Sequence, residues 1–153
     1  MPDMKDLKLE LYNLCRKYIA DSINEIEAAI TDRREAIRNE TKSSMGDKYE
    51  TTREMLQQDI NMNMERLNKV KADEAILQSI NPKLSSPAVV PGSLVQCSNG
   101  NFYIAISAGH FTVGGTKYYA VSVSSPIGGQ LRGKQAGDIF VLNGKTFTID
   151  KIL

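Results

Sequence analysis

Asn81-Pro82-Lys83-Leu84-Ser85-Ser86-Pro87-Ala88-Val89-Val90-Pro91-Gly92 divides the chain into two parts with different compositions. Its three prolines fix φ and remove backbone donors, so the stretch is excluded from a helix and reads as a stiff linker, residues 81–92. Before it, Gly46 is the only glycine and Pro2 the only proline. After residue 80 come ten glycines and four prolines. Gly and Pro are the strongest punctuators of local structure, so this break predicts a domain boundary. The divisions are 1–80, the linker 81–92, and 93–153.

Residues 1–80 have helical periodicity. Leu7, Leu11, Leu14 and Tyr18 recur at threes and fours, and Ile19, Ile23, Ile26, Ile30 and Ile37 continue the rhythm one position later. A second run has Leu56, Ile60, Leu67, Val70 and Leu77. Each run makes one apolar stripe on a helix, with charges filling the other faces. Thr41-Lys42-Ser43-Ser44-Met45-Gly46-Asp47 lies between them, short and turn-like. Two long helices joined by a short link form an antiparallel hairpin, with its tip near residues 43–50. A first helix from residue 7 to 42 would extend roughly 50 Å.

Residues 93–153 read as β structure. Leu94 to Cys97 and Phe102 to Ile106 flank Ser98-Asn99-Gly100-Asn101, and Ile139 to Leu142 and Thr146 to Ile152 flank Asn143-Gly144. Asn-Gly between apolar runs is a strong hairpin signal. Tyr118 to Val123 alternates as a strand. Ser125-Pro126 opens a short helical or turn segment through Leu131. The reading is about five strands and one short helix, an α+β chain overall, with the aromatics Phe102, Tyr103, Phe111, Tyr118, Tyr119, Phe140 and Phe147 in the sheet core.

Composition narrows the function. Hydrophobic residues make up 41% and charged residues 24%, which excludes a disordered chain. No run approaches the roughly 18 apolar residues of a membrane span, and Met1 to Glu10 lacks the apolar core of a secretory signal. Cys15 and Cys97 have no partner spacing, so a cytoplasmic protein without a disulfide or metal framework is expected. Residues 1–80 carry 13 Lys/Arg against 16 Asp/Glu, net −3, and residues 81–153 carry 6 against 2, net +4. That polarity allows DNA, RNA or phosphate contact on the C-terminal part without requiring it. His110 has no acid or thiol close by in sequence. Gly114-Gly115 and Gly128-Gly129 precede no phosphate-binding helix. Free-standing enzymatic activity is therefore not expected.

The predicted tip holds Asp47-Lys48-Tyr49-Glu50. An acid followed three residues later by Glu at the start of an apolar run is a capping box. The same two carboxylates, Asp47 and Glu50, suit a hard ion such as Mg²⁺, which often takes only one or two protein ligands. Such a pair would complete a metal site supplied by a partner, and a cap can also serve as a ligand. Arg33, Arg34, Arg38 and Lys42 precede the tip and Lys48 and Arg53 follow it. They read either as a solvated helix face or as contacts to RNA phosphate or an acidic channel wall.

Ser125-Pro126-Ile127-Gly128, Leu131, Gly133-Lys134, Gly137-Asp138 and Phe140 spell SPIGxxLxGKxxGDxF. This resembles the C-terminal motif of the bacterial transcript cleavage factors GreA and GreB, and the order of a hairpin followed by a β domain matches that family from end to end. The resemblance implies an FKBP-like C-terminal domain and a coiled coil that enters the secondary channel of RNA polymerase. Gly46-Asp47-Lys48-Tyr49-Glu50 is similar to the family's tip at its Gly, Asp and Glu. By that resemblance Asp47 and Glu50 position a Mg²⁺ shared with the polymerase, next to the 3′ end of the nascent RNA. Partner contacts would then come from Arg38, Lys42, Lys48, Tyr49 and Arg53 near the tip, and from Ser125, Pro126, Ile127, Gly128, Arg132 and Lys134 in the C-terminal domain. The alternatives are a channel regulator that does not stimulate cleavage, and a coiled-coil interaction module with another partner. Oligomeric state is left open.

Overall fold

The computed structural model describes the backbone of residues 4–43 and 46–153, and the side chains of residues 6–39 and 50–153. The chain is α+β. Two long helices, α1 (Met4–Ser43) and α2 (Gly46–Gln78), precede a six-stranded mixed sheet and one short helix. The strands are β1 (Leu94–Cys97), β2 (Gly100–Ile104), β3 (Gly109–Val113), β4 (Thr116–Val121), β5 (Ile139–Leu142) and β6 (Lys145–Ile152), with α3 (Pro126–Leu131) between β4 and β5.

The chain forms two compact units, and they do not divide at the linker. One comprises residues 19–74, the middle of α1 and most of α2. The other joins residues 1–18 and 75–153, so the base of each helix belongs with the sheet.

In the helical unit, Ile26, Ile30 and Ile60 are buried together, with Ile37, Leu67 and Val70 packed against them. These are the stripe positions read from the sequence. Arg33 Nε donates to Asp59 Oδ2 at 2.6 Å across the two helices. Asn63 is also buried in this unit; its Nδ2 donates to the Asp59 carbonyl at 2.9 Å, so the polar side chain is satisfied.

In the sheet unit, the strand order is β3-β4-β2-β1-β6-β5. All neighbours are antiparallel except β2 and β4, which run parallel and are joined by a crossover through β3. Alternation gives the sheet two buried faces. One carries Val95, Cys97, Phe102, Ile104, Phe140, Phe147 and Ile149, closed by Leu131 of α3 and Val89 of the linker. Pairing in register puts Leu94, Tyr103, Tyr118 and Ala120 on the other face, and all four are buried. There the Tyr103 hydroxyl lies near Tyr12 and Cys15 of α1.

Two sequence expectations are corrected here. The sheet has a sixth strand, β3, beyond the five expected. It forms a hairpin with β4 around Gly114 and Gly115, whose positive φ values of 58° and 80° suit a two-residue loop. In the first hairpin Cys97 pairs with Gly100, so the loop is Ser98-Asn99 and Gly100 already lies in the strand. The second hairpin turns at Asn143-Gly144, where the sequence places it.

Candidate functional site

The helix tip comes first. α2 opens at Gly46, with Asp47 in its first turn, and the capping-box reading rests on the Asp47 side chain, which lies outside the described residues. Residues 41–43 and 46–47, read as turn, are helical. Acids in the first turn still interact favourably with the helix dipole. Asp47 and Glu50 stand three residues apart along the α2 backbone, which is neighbour spacing on a helix. Glu50, Arg38 and Arg53 are exposed. The side chains of Asp47, Lys42, Lys48 and Tyr49 lie outside the described residues. Arg33 is committed to Asp59.

Two carboxylates supply too few oxygens to hold Mg²⁺ alone, whose shell takes six. The pair fits Mg²⁺ only as part of a larger site. Among the described residues, no three acids, histidines or cysteines cluster as a metal-binding group.

The SPIG segment is built from local chemistry. Ser125 is the N-cap of α3, in an extended conformation, and its Oγ accepts from the Gly128 amide at 3.1 Å. The same hydroxyl donates to the Ser122 carbonyl at 2.6 Å. Pro126 occupies the first turn, where no amide partner is needed. A Cβ on Gly128 would fall 1.8 Å from the Ser122 carbonyl oxygen, so only glycine fits there. Leu131 is fully buried in the core. The segment that follows is tied to the linker: Gly133 N donates to Val89 O, Val89 N donates to Lys134 O, and Ala88 bridges Gln135. Lys134 Nζ lies 5.6 Å from the centre of the Phe140 ring. Pro126 and Arg132 are exposed, Ser125, Ile127 and Lys134 are half-buried, and Gly128 is buried. Much of the motif is thus accounted for by the fold, and among the contacts expected in this segment Pro126 and Arg132 are the exposed ones.

The cysteines and the histidine follow. Both cysteines are free and buried. Burial pushes the Cys15 thiol up to about 12; burial, with the Asp150 carboxylate nearby, pushes Cys97 up to about 11. Neither supplies a thiolate at neutral pH. His110 is exposed on β3, its ring lying at a steep angle to that of Tyr119 with centroids 6.1 Å apart.

Sequence reading missed two buried polar groups. Lys8 is 5% exposed, and its ammonium donates to the Leu84 carbonyl at 2.6 Å. Burial lowers its pKa from the ordinary lysine value. Tyr103 Oη is buried without a hydrogen-bond partner among the described residues, and burial, then Cys15 and Tyr12, raise its pKa. Lys8 falls next to the stripe residue Leu7, and nothing local marks it as buried.

No protein-family model matches the chain, and no curated protein or solved structure matches it significantly.

Proposed function

We propose that the protein is a Gre-like factor that binds RNA polymerase, inserts its helical hairpin into the secondary channel and stimulates cleavage of backtracked RNA. The observation that carries this reading is the pairing of Asp47 and Glu50, three residues apart at the start of α2, with the SPIGxxLxGKxxGDxF segment in the sheet unit. The C-terminal region is read as FKBP-like, with its short helix on one face of the sheet. The chain is an accessory factor and not an enzyme in its own right.

The chemistry asked of the tip is limited. Two-metal hydrolysis of a phosphodiester needs one ion on the attacking water and one on the leaving oxygen. Carboxylates from Asp47 and Glu50 would help retain one Mg²⁺ in a site that the polymerase completes. Exposed Arg38 and Arg53 would face the acidic channel wall or the RNA backbone, and Pro126 and Arg132 would dock the sheet unit.

One feature favours a second reading, a channel regulator that does not stimulate cleavage. Thr51-Thr52-Arg53-Glu54 stands where the family usually has Asn-Ala-Glu-Tyr after the tip Glu. Stalled, backtracked elongation complexes separate the two. Faster Mg²⁺-dependent RNA shortening by the wild type, lost in folded Asp47→Ala and Glu50→Ala variants, supports cleavage. Binding to the polymerase without stimulation supports the regulator.

A further inference from the structure

We propose that the β3–β4 end of the sheet is a stacking platform for single-stranded nucleic acid, with a base on the Tyr119 ring and its phosphate on Lys117. Register brings these groups together. Tyr119 stands opposite His110 on β3 and opposite Phe102 on β2, and Lys117 stands opposite Thr112. Cross-strand partners share a face, so all five side chains lie on one side of the sheet. Counted from the two-residue loop, Tyr119–His110 and Lys117–Thr112 are the non-hydrogen-bonded pairs, in which side chains stand closest. The Tyr119 ring is held on both flanks. Phe102 is stacked beside it, with centroids 5.7 Å and planes 27° apart, and the His110 ring meets it at 63°. Tyr119 is nonetheless 37% exposed. Its neighbour Gly100 has no side chain to cover it, although a Cβ there would lie 3.7 Å from Tyr119 Cε2. Lys117 Nζ lies 5.9 Å from the ring centre, at the outer limit of a cation–π contact, so it can turn to a phosphate.

Charge selects an anion here, and the ring selects a base. Residues 75–137 contain no Asp or Glu, and carry Lys83, Lys117, Arg132 and Lys134. The two acids of the C-terminal part, Asp138 and Asp150, belong to the β5–β6 end of the strand order. Tyr103, beside Tyr12 and Cys15 of α1, lies on the opposite face, so the base of that helix leaves this one open. A carboxylate of a protein partner would satisfy Lys117 but make no use of a fixed, uncovered ring. Every base has a π-face, and a base stacked on an aromatic ring brings its phosphate to a neighbouring cation. A duplex hides those faces, so the occupant is a single strand. The other end of the sheet shows the contrast. Lys134 lies over the Phe140 ring there, but Phe140 and Phe147 are buried and closed to a base. One ring and one cation make a weak site, with a Kd of about 0.1 mM. It belongs to the sheet unit and does not depend on Asp47 and Glu50.

Fluorescence anisotropy of labelled oligo(A) and oligo(dA), titrated with the full chain to about 1 mM at low salt, tests this. Both should bind, because a ring and an ammonium read base and phosphate and not the sugar. Tyr119→Ala should weaken binding about tenfold, the effect of one lost stack, and Tyr119→Phe should restore it. Lys117→Ala should weaken both strands alike and lower the slope of log affinity against log salt by about 0.7. Lys117 is exposed, so this variant keeps the test valid if Tyr119→Ala unfolds. Inorganic polyphosphate is the charge-only control and should bind Tyr119→Ala as well as it binds the wild type. No binding by the wild type at 1 mM overturns the proposal. So does equal affinity for the oligo(A)–oligo(U) duplex, a requirement for the 2′-hydroxyl, or binding that folded Tyr119→Ala and Lys117→Ala leave intact.

Discussion

At the scale of single residues, Gly128 is the most tightly packed of the described glycines. Gly128→Ala drives a methyl group into the Ser122 carbonyl, a backbone atom that cannot swing aside. The expected loss is about 3 kcal/mol, at the upper end for overpacking, read as a lower urea midpoint. Ser125→Ala removes only the cap and should cost about 1 kcal/mol. The Ser-Pro helix start was readable from the sequence because capping is local. The reason for Gly128 was not, because it depends on where the chain places Ser122. Buried ionisable groups add a pH dependence. The Cys15 and Cys97 thiols keep their protons in the folded chain well above the ordinary value of 9.0, whereas unfolded thiols ionise near it. The folded state then binds more protons, so stability falls as pH rises from about 9 towards 11–12. Tyr103 acts in the same direction at higher pH. Lys8 opposes them, since its lowered pKa makes folding more favourable as pH approaches 10.5. The two thiols act together from about pH 9, and a chain without them isolates their share. Urea midpoints should therefore drop between about pH 8 and pH 10.5, and by less in a Cys15→Ala/Cys97→Ala variant. An equal drop in both chains would remove the thiols as its cause.

At the scale of elements, the helical unit has a thin apolar seam. Ile60 packs on Ile26 and Ile30, so Ile60→Ala should cost about 2–4 kcal/mol, by lost transfer energy and the cavity it leaves. The Arg33–Asp59 pair is about 40% exposed on both sides, and solvent screens it. Arg33→Ala should cost only about 0.5 kcal/mol. Hydrogen exchange of α1 and α2 amides would rank the two, and a larger effect from Arg33→Ala would contradict that ranking. The same periodicity made both helices readable, because a stripe at threes and fours needs no knowledge of its partner. The strands were less so. The Asn143-Gly144 hairpin was evident because both residues accept positive φ. β3 was overlooked, although Gly114-Gly115 between two runs is also a hairpin signal. His110-Phe111-Thr112-Val113 alternates polar and apolar residues, and its burial follows that alternation, so this strand too was legible. The tip acids were visible as a motif, and both lie within the first two turns of α2, which opens at Gly46.

At the scale of the whole molecule, composition and packing draw the boundary in different places. The change in Gly and Pro content lies at the linker, where the backbone changes style. The compact units instead divide within the helices, at residues 18 and 75. The physical reason is the second face of the sheet. Leu94, Tyr103, Tyr118 and Ala120 form an apolar surface that no strand covers, and Leu7, Leu11 and Cys15 of α1 are buried in the same unit. Lys8 to Leu84 and Tyr12 to the Leu77 carbonyl tie that helix base in place. A fragment of residues 93–153 would expose this face, including the fully buried Tyr103 ring. It should aggregate or melt without cooperativity, because a sheet with one bare apolar face is not stable in water. A chain that keeps residues 1–18 and 75–153, joined by a short glycine-rich loop, should fold with a single cooperative transition. Near-ultraviolet circular dichroism and thermal melting of the two chains decide the point. A cooperative melt of 93–153 alone would show that the helix bases are dispensable, and the boundary would return to the linker.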